Sequence, residues 1–167
     1  MCVVPPRVVA WICLPLIAAI AGCSSNHSGA QFRPSVLPSI WPTAHPARVI
    51  SGGFGYRADP IAGDRRFHKG LDIQAPKLAP VVATAEGAVA FSGTNPTYGN
   101  YVMLDHGGGV QTVYAHLHER LVTAGKRVQR GETIGLIGMT GRATAPHVHY
   151  EVRVNGIPVD PRPYLTP

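Results

Sequence analysis

Along the chain, the rhythm of apolar and polar positions changes twice. Val8 to Ala21 is an unbroken apolar run. Ser24 to about Pro46 has no period, and prolines recur there at Pro34, Pro38, Pro42 and Pro46. From Ala47 onward, short β-branched runs alternate with glycine-rich turns. That texture predicts strands at Arg48–Ile50, His68–Ile73, Pro80–Ala85, Gly87–Ser92, Tyr101–Asp105, Val110–His116, Arg127–Val128, Thr133–Ile137, His147–Val154 and Ile157–Val159. Asn155-Gly156 predicts a two-residue hairpin turn of type I′. One helical turn is predicted, at His118–Ala124. The chain thus reads as a leader (1–22), an extended segment (23–46) and one all-β domain (47–167).

The apolar run is shorter than the ~20 residues a membrane-spanning helix needs. With Arg7 before it and small residues at its exit, it has the form of a secretory signal. The exit Ile20-Ala21-Gly22-Cys23 resembles the lipobox of bacterial lipoproteins. The resemblance implies that Cys23 is acylated, becomes the mature N-terminus and anchors the protein to a membrane. Each buried acyl CH₂ adds ~0.8 kcal/mol to that anchoring. Ser24 follows Cys23, and by analogy with Gram-negative lipoproteins this points to the outer membrane facing the periplasm. The proline-rich segment is expected to be semi-rigid, with a reach of roughly 70 Å at ~3.1 Å per residue. Its apolar residues Phe32, Val36, Leu37, Ile40 and Trp41 are unusual for a pure spacer, and some are expected to dock on the domain.

Composition narrows the choice of partners. Only 14% of the 167 residues are charged, and 19 glycines and 16 prolines suit a turn-rich β protein. The formal charge of +6 favours polyanions. The basic residues are scattered, however, with Arg65-Arg66 and Lys126-Arg127 the densest pairs, so nucleic acid is not the expected partner. An anionic cell-wall polymer fits this charge as well. The three cysteines, Cys2, Cys13 and Cys23, all precede the domain, which excludes a disulfide framework or a cysteine zinc site within it.

The candidate chemistry lies in the histidines. Phe67-His68-Lys69-Gly70-Leu71-Asp72 places His68 and Asp72 four apart, on one face if the segment is a strand. Ala145-Pro146-His147-Val148-His149 puts two histidines on one face of another, where buried imidazoles would each need a partner. Tyr114-Ala115-His116-Leu117 ends an apolar strand. Two imidazoles and a carboxylate, with the fourth position left to water, compose a catalytic zinc site. His68, Asp72 and one of His147 and His149 supply that set, and spacing does not choose between the pair. The histidines left over would serve as proton acceptor and oxyanion donor, without a catalytic glutamate.

The motifs together resemble the M23 metallopeptidases of lysostaphin/LytM type. Gly55-Tyr56-Arg57, His68-Lys69-Gly70-Leu71-Asp72, Tyr98-Gly99-Asn100-Tyr101-Val102, Tyr114-Ala115-His116-Leu117, Gly131-Glu132-Thr133-Ile134-Gly135 and Pro146-His147-Val148-His149-Tyr150-Glu151-Val152-Arg153 look like successive family blocks, in order. The resemblance implies an antiparallel-sheet domain like a duplicated hybrid (barrel-sandwich) motif. It also implies one Zn²⁺ held by His68, Asp72 and His149, with His116 and His147 as the catalytic histidines. The implied reaction is hydrolysis of peptide cross-links in peptidoglycan. Leu78-Ala79-Pro80 and Ala145 depart from the usual family residues without touching these positions.

Two other readings compete. Val122 to Gly138 resembles a biotinyl/lipoyl hybrid-barrel repeat, but Lys126 lacks the Met-Lys-Met setting of a modified lysine. A non-catalytic M23-like activator of a separate amidase is the alternative; such proteins typically lack ligands or catalytic histidines, whereas all five positions are kept here. Glu151 is expected to be a structural acid paired with Arg153, with orientation of a ligand imidazole as its other reading. His106 is expected in a turn and His118 at the surface. Tyr98 is either a cleft or a turn residue.

Overall fold

The structure is a computed structural model that describes residues 37–59 and 63–165. The expected signal segment, Cys23 and the first part of the proline-rich stretch lie outside the described residues. Within them the strands are β1 (Val49–Gly52), β2 (Gly55–Ala58), β3 (Arg65–His68), β4 (Leu71–Gln74), β5 (Pro80–Val82), β6 (Gly87–Asn95), β7 (Gly99–Gly107), β8 (Val110–Arg120), β9 (Arg127–Val128), β10 (Thr133–Ile137), β11 (His147–Val154) and β12 (Ile157–Val159). A 3-10 turn at Arg162–Tyr164 follows. Ten strands form one sheet along the path β1-β4-β11-β8-β7-β6-β9, with β10 bridging β8 and β5 and β12 paired to β11. β2 and β3 make a separate antiparallel hairpin.

β11 shows how the core positions the site. Its even-numbered residues Val148, Tyr150 and Val152 are fully buried in the main apolar cluster. Its odd-numbered residues His147, His149 and Glu151 therefore face the other side, into a groove. β4 repeats the pattern, with Leu71 and Ile73 in the core and Asp72 turned to the groove. Burying each of the four aliphatic side chains contributes about 1.5–3 kcal/mol. A one-residue slip of β11 would drive two imidazoles and a carboxylate into that core, so packing fixes which residues reach the groove.

β8 breaks its own alternation. His116 has φ +60, in the left-handed region, and its N–H is bonded to the Tyr98 carbonyl rather than to a regular ladder partner. The register with β7 shifts there: Val102 lies opposite Tyr114, yet Asn100 lies opposite Leu117. This extra residue is a bulge, and it turns His116 into the groove while Tyr114 and Leu117 both stay in the core.

Three expectations are corrected. The predicted helical turn at His118–Ala124 does not form, because β8 runs on to Arg120 and pairs there with β10. The predicted strand His68–Ile73 is two strands, β3 and β4, joined at Lys69-Gly70. Gly70 is required at that corner, where a Cβ would collide with the Tyr150 carbonyl. His106 is not in a turn but is buried on β7. The Asn155-Gly156 hairpin forms as expected, with φ of +50 and +78.

Packing also begins before Ala47. Pro38, Pro42 and Thr43 are buried. The Ser39 N–H donates to the Thr84 carbonyl, and the Val82 N–H donates to the Pro42 carbonyl. Trp41 packs on the core beneath the Arg48 guanidinium, 4.8 Å away.

Candidate metal centre and groove

Strand pairing assembles the groove floor. His149 lies opposite Asp72 on β4 and opposite Ala115 on β8. His68 closes β3 beside them, and His116 and His147 complete the set, so the structure brings all five sequence-predicted residues into one groove of about 420 Å³.

The hydrogen bonds determine which ring nitrogens are free. A carbonyl oxygen only accepts, so a ring nitrogen bonded to one carries the proton and leaves the other nitrogen with a lone pair. His68 Nδ1 donates to the Gly53 carbonyl at 2.7 Å, which frees Nε2. His116 Nδ1 donates to the Thr140 carbonyl at 2.8 Å, and His147 Nδ1 to the Ala145 carbonyl at 2.7 Å. His149 is reversed: its Nε2 donates to Glu151 Oε1 at 3.0 Å, which frees Nδ1.

The free atoms converge. His68 Nε2, Asp72 Oδ1 and His149 Nδ1 lie 2.9–3.1 Å from one another. Lone pairs this close repel unless a cation lies among them. Zinc bonds of about 2.0–2.1 Å imply a tetrahedral edge of roughly 3.3 Å, so this donor set fits zinc with a small expansion. Arg57 Nη2 donates to the other carboxylate oxygen, Asp72 Oδ2, leaving Oδ1 as the single ligand atom.

Glu151 serves as an orienter. The expected pairing with Arg153 exists, from Arg153 Nε to Oε2 at 2.8 Å. The same carboxylate also accepts the His149 Nε2 proton and, at 2.5 Å, the Tyr98 hydroxyl, so the purely structural reading is replaced. Although burial opposes it, these partners lower the Glu151 carboxyl to about 2, keeping it an acceptor that fixes the His149 tautomer. The signal in the sequence was the shared parity of positions 149 and 151. Tyr98 lines the groove and stacks on the His149 ring. The backbone carbonyls of Gly53, Thr140 and Ala145 carry no sequence signal at all.

His116 and His147 stand beside the donor set with ring centroids 4.8 Å apart. Burial, and then the neighbouring His147, lower His116 to about 4, so it is neutral at pH 7 with Nε2 ready to accept a proton. His147 Nε2 lies 3.5 Å from Asp72 Oδ1.

The family model for peptidase family M23 matches residues 66–161, more than half of the chain and nearly all of the sheet. The chain belongs to peptidase family M23. The fold and family implied by the sequence motifs are thereby borne out. The M23 domain is 50% identical over 112 residues to the DD-carboxypeptidase/endopeptidase Mpg of Neisseria meningitidis serogroup B, covering 67% of this chain and 26% of that protein. It is 45% identical over 116 residues to the peptidoglycan DD-endopeptidase ShyC of Vibrio cholerae, covering 69% of this chain and 27% of that protein. The chain thus spans about a quarter of the length of these curated relatives. Among solved structures it is similar to a zinc-containing peptidase from Vibrio cholerae, with a TM-score of 0.66 and 36% identity, covering 74% of this chain and 38% of that one.

Proposed function

We propose that this M23 domain is a zinc-dependent endopeptidase that hydrolyses D,D peptide cross-links of peptidoglycan. The observation that carries the reading is the convergence of His68 Nε2, Asp72 Oδ1 and His149 Nδ1, with His116 and His147 beside them in an open groove. The names of the relatives support the substrate class.

His68, Asp72 and His149 would hold the metal, and Glu151 and Arg57 would fix the ligand atoms of His149 and Asp72. Zinc, when bound, polarises the scissile carbonyl and makes water a better nucleophile. His116, neutral and with Nε2 open to the groove, accepts the proton of the attacking water. His147 acts in the imidazolium form, its Nε2–H donating to the developing oxyanion, and His116 returns the proton taken from water to the leaving amine. The Thr140 and Ala145 carbonyls accept the Nδ1 protons and so aim both Nε2 atoms into the groove.

The test is incubation of the zinc-loaded protein with purified sacculi and mass spectrometry of the released fragments. Loss of cross-linked dimers is expected, with uncross-linked stems still carried on their glycan; intact sacculi in the absence of an amidase, with hydrolysis only when an amidase is added, would favour the activator reading instead. We also propose that Cys23 anchors the protein by lipid to the outer membrane, supported by Ile20-Ala21-Gly22-Cys23 and Ser24. Palmitate labelling that persists in Cys23→Ser would remove that part.

A further inference from the structure

Four basic side chains line the groove: Arg57, Arg66, Lys69 and Arg142. Two are already committed. Arg57 is bonded to Asp72, and Arg66 Nε donates to both oxygens of Asp64 at 2.9 Å. Arg142 differs: only its Nη2 is used, at 3.1 Å from each oxygen of Asp59. Among the described residues Nε and Nη1 carry no hydrogen bond, so donors remain on the side of a planar fork that suits a carboxylate.

The location of Arg142 is set by the catalytic groups. Its own N–H is bonded to the Thr97 carbonyl, and Thr140, two residues earlier, orients His116 through its carbonyl. The Thr140 hydroxyl further ties this loop to Leu117 and to Asn100 on neighbouring strands. Across the groove, Asp59 lies two residues after Arg57, which touches Asp72. Both partners of the pair are thus within about 7 Å of backbone from a residue bonded to the site. The pair is partly exposed and so contributes little to stability, and a second carboxylate can share or replace Asp59. Lys69 is a flexible point charge without a comparable mount.

Resting on the D,D-peptidase reading above, we infer that Arg142 is a specificity residue that binds the carboxylate on the α-carbon of the leaving amine. A D,D bond places a carboxylate there both at a chain end and in a cross-link through a D-centre, whereas an ordinary internal peptide bond places an uncharged amide. Asp59 holds the guanidinium in position until the substrate arrives. One site would then accept both D,D-carboxypeptidase and D,D-endopeptidase substrates and reject uncharged peptide chains.

The experiment uses the full chain, zinc-loaded in detergent, and two synthetic D-alanyl peptides that differ only in a free or amidated α-carboxylate on the amine-side residue. Wild type should favour the free acid by about tenfold or more in kcat/KM, the usual scale for a charged hydrogen bond. Arg142→Gln should bring that ratio towards one, chiefly through a higher KM for the free acid, and Arg142→Lys should restore part of it. An unchanged ratio in Arg142→Gln, or equal loss on both peptides, makes Arg142 a strap between two loops and overturns the inference. A wild type that cleaves neither peptide overturns the D,D-peptidase reading and the inference with it. A wild type that cleaves both equally overturns the inference alone.

Discussion

Two buried histidine neighbourhoods in this domain are built on opposite rules. His106 on β7 has both ring nitrogens satisfied: Nδ1 donates to the Glu86 carbonyl at 2.6 Å, and Nε2 meets the Thr112 hydroxyl at 2.8 Å. Behind it, Thr112, Tyr114, Thr84 and Tyr150 continue as a chain of buried hydroxyls bonded to one another. In the groove, each of His68, His116, His147 and His149 has one nitrogen tied to a carbonyl or carboxylate and the other left to chemistry. Burial alone does not separate the two cases, since His106 and His149 are only 4% and 5% exposed. The free nitrogen does. A satisfied buried imidazole adds stability, whereas a half-satisfied one is tolerated where a cation or a substrate completes it.

The contrast breaks most sharply at His116. His116→Asn keeps a residue that tolerates the left-handed backbone but removes the proton acceptor. Turnover of cross-linked muropeptides should fall by ~10²-fold or more, with zinc and thermal stability close to wild type. A loss of stability that accounts for the lost activity would place His116 with His106 instead.

Glu151 sharpens the comparison, because it is the carboxylate that makes His149 half-satisfied. Glu151→Ala should weaken zinc affinity by roughly 10–100-fold, read by chelator competition, with partial recovery in Glu151→Gln. Affinity unchanged in Glu151→Ala would return the residue to a purely structural role.

The smallest expected effect is at His106. His106→Ala removes one hydrogen bond each from the Glu86 carbonyl and the Thr112 hydroxyl and should cost about 1–3 kcal/mol, with activity per folded molecule retained. Burial lowers the His106 pKa below its ordinary 6.5, so the unfolded chain binds the proton first. The sign follows: the neutral ring's contribution is full above about pH 6.5 and is lost as pH falls through the lower folded value. Denaturant titrations across pH 4.5–7.5 should therefore show a shallower acid loss in His106→Ala than in wild type. An equally steep loss would show that His106 is not the group responsible.

The sequence allows some of this architecture to be read and hides the rest for identifiable reasons. The alternation of β11 is plain because Val148, Tyr150 and Val152 must be buried, and that fixes the direction of His147 and His149. Asn155-Gly156 is equally legible, since both positions need positive φ. His68 and Asp72 were expected on one strand face, but they meet across a corner between two strands. The β2–β3 hairpin escaped because its Tyr56 and Phe67 are exposed, so burial imposes no alternation there. His116 would point into the core by parity with Tyr114, and no residue type announces the bulge that redirects it. His106 was hidden because its partners, a carbonyl and a hydroxyl, come from β8 and the loop before β6.

If three groove residues hold a metal while two neighbours act on the reaction, metal content separates the two sets. Zinc stoichiometry after dialysis against metal-free buffer, measured on wild type, His116→Asn and His149→Ala, tests that division most directly. One zinc is expected in wild type, one in His116→Asn and none in His149→Ala. One tightly held zinc in His149→Ala, or its loss from His116→Asn, would contradict the assignment.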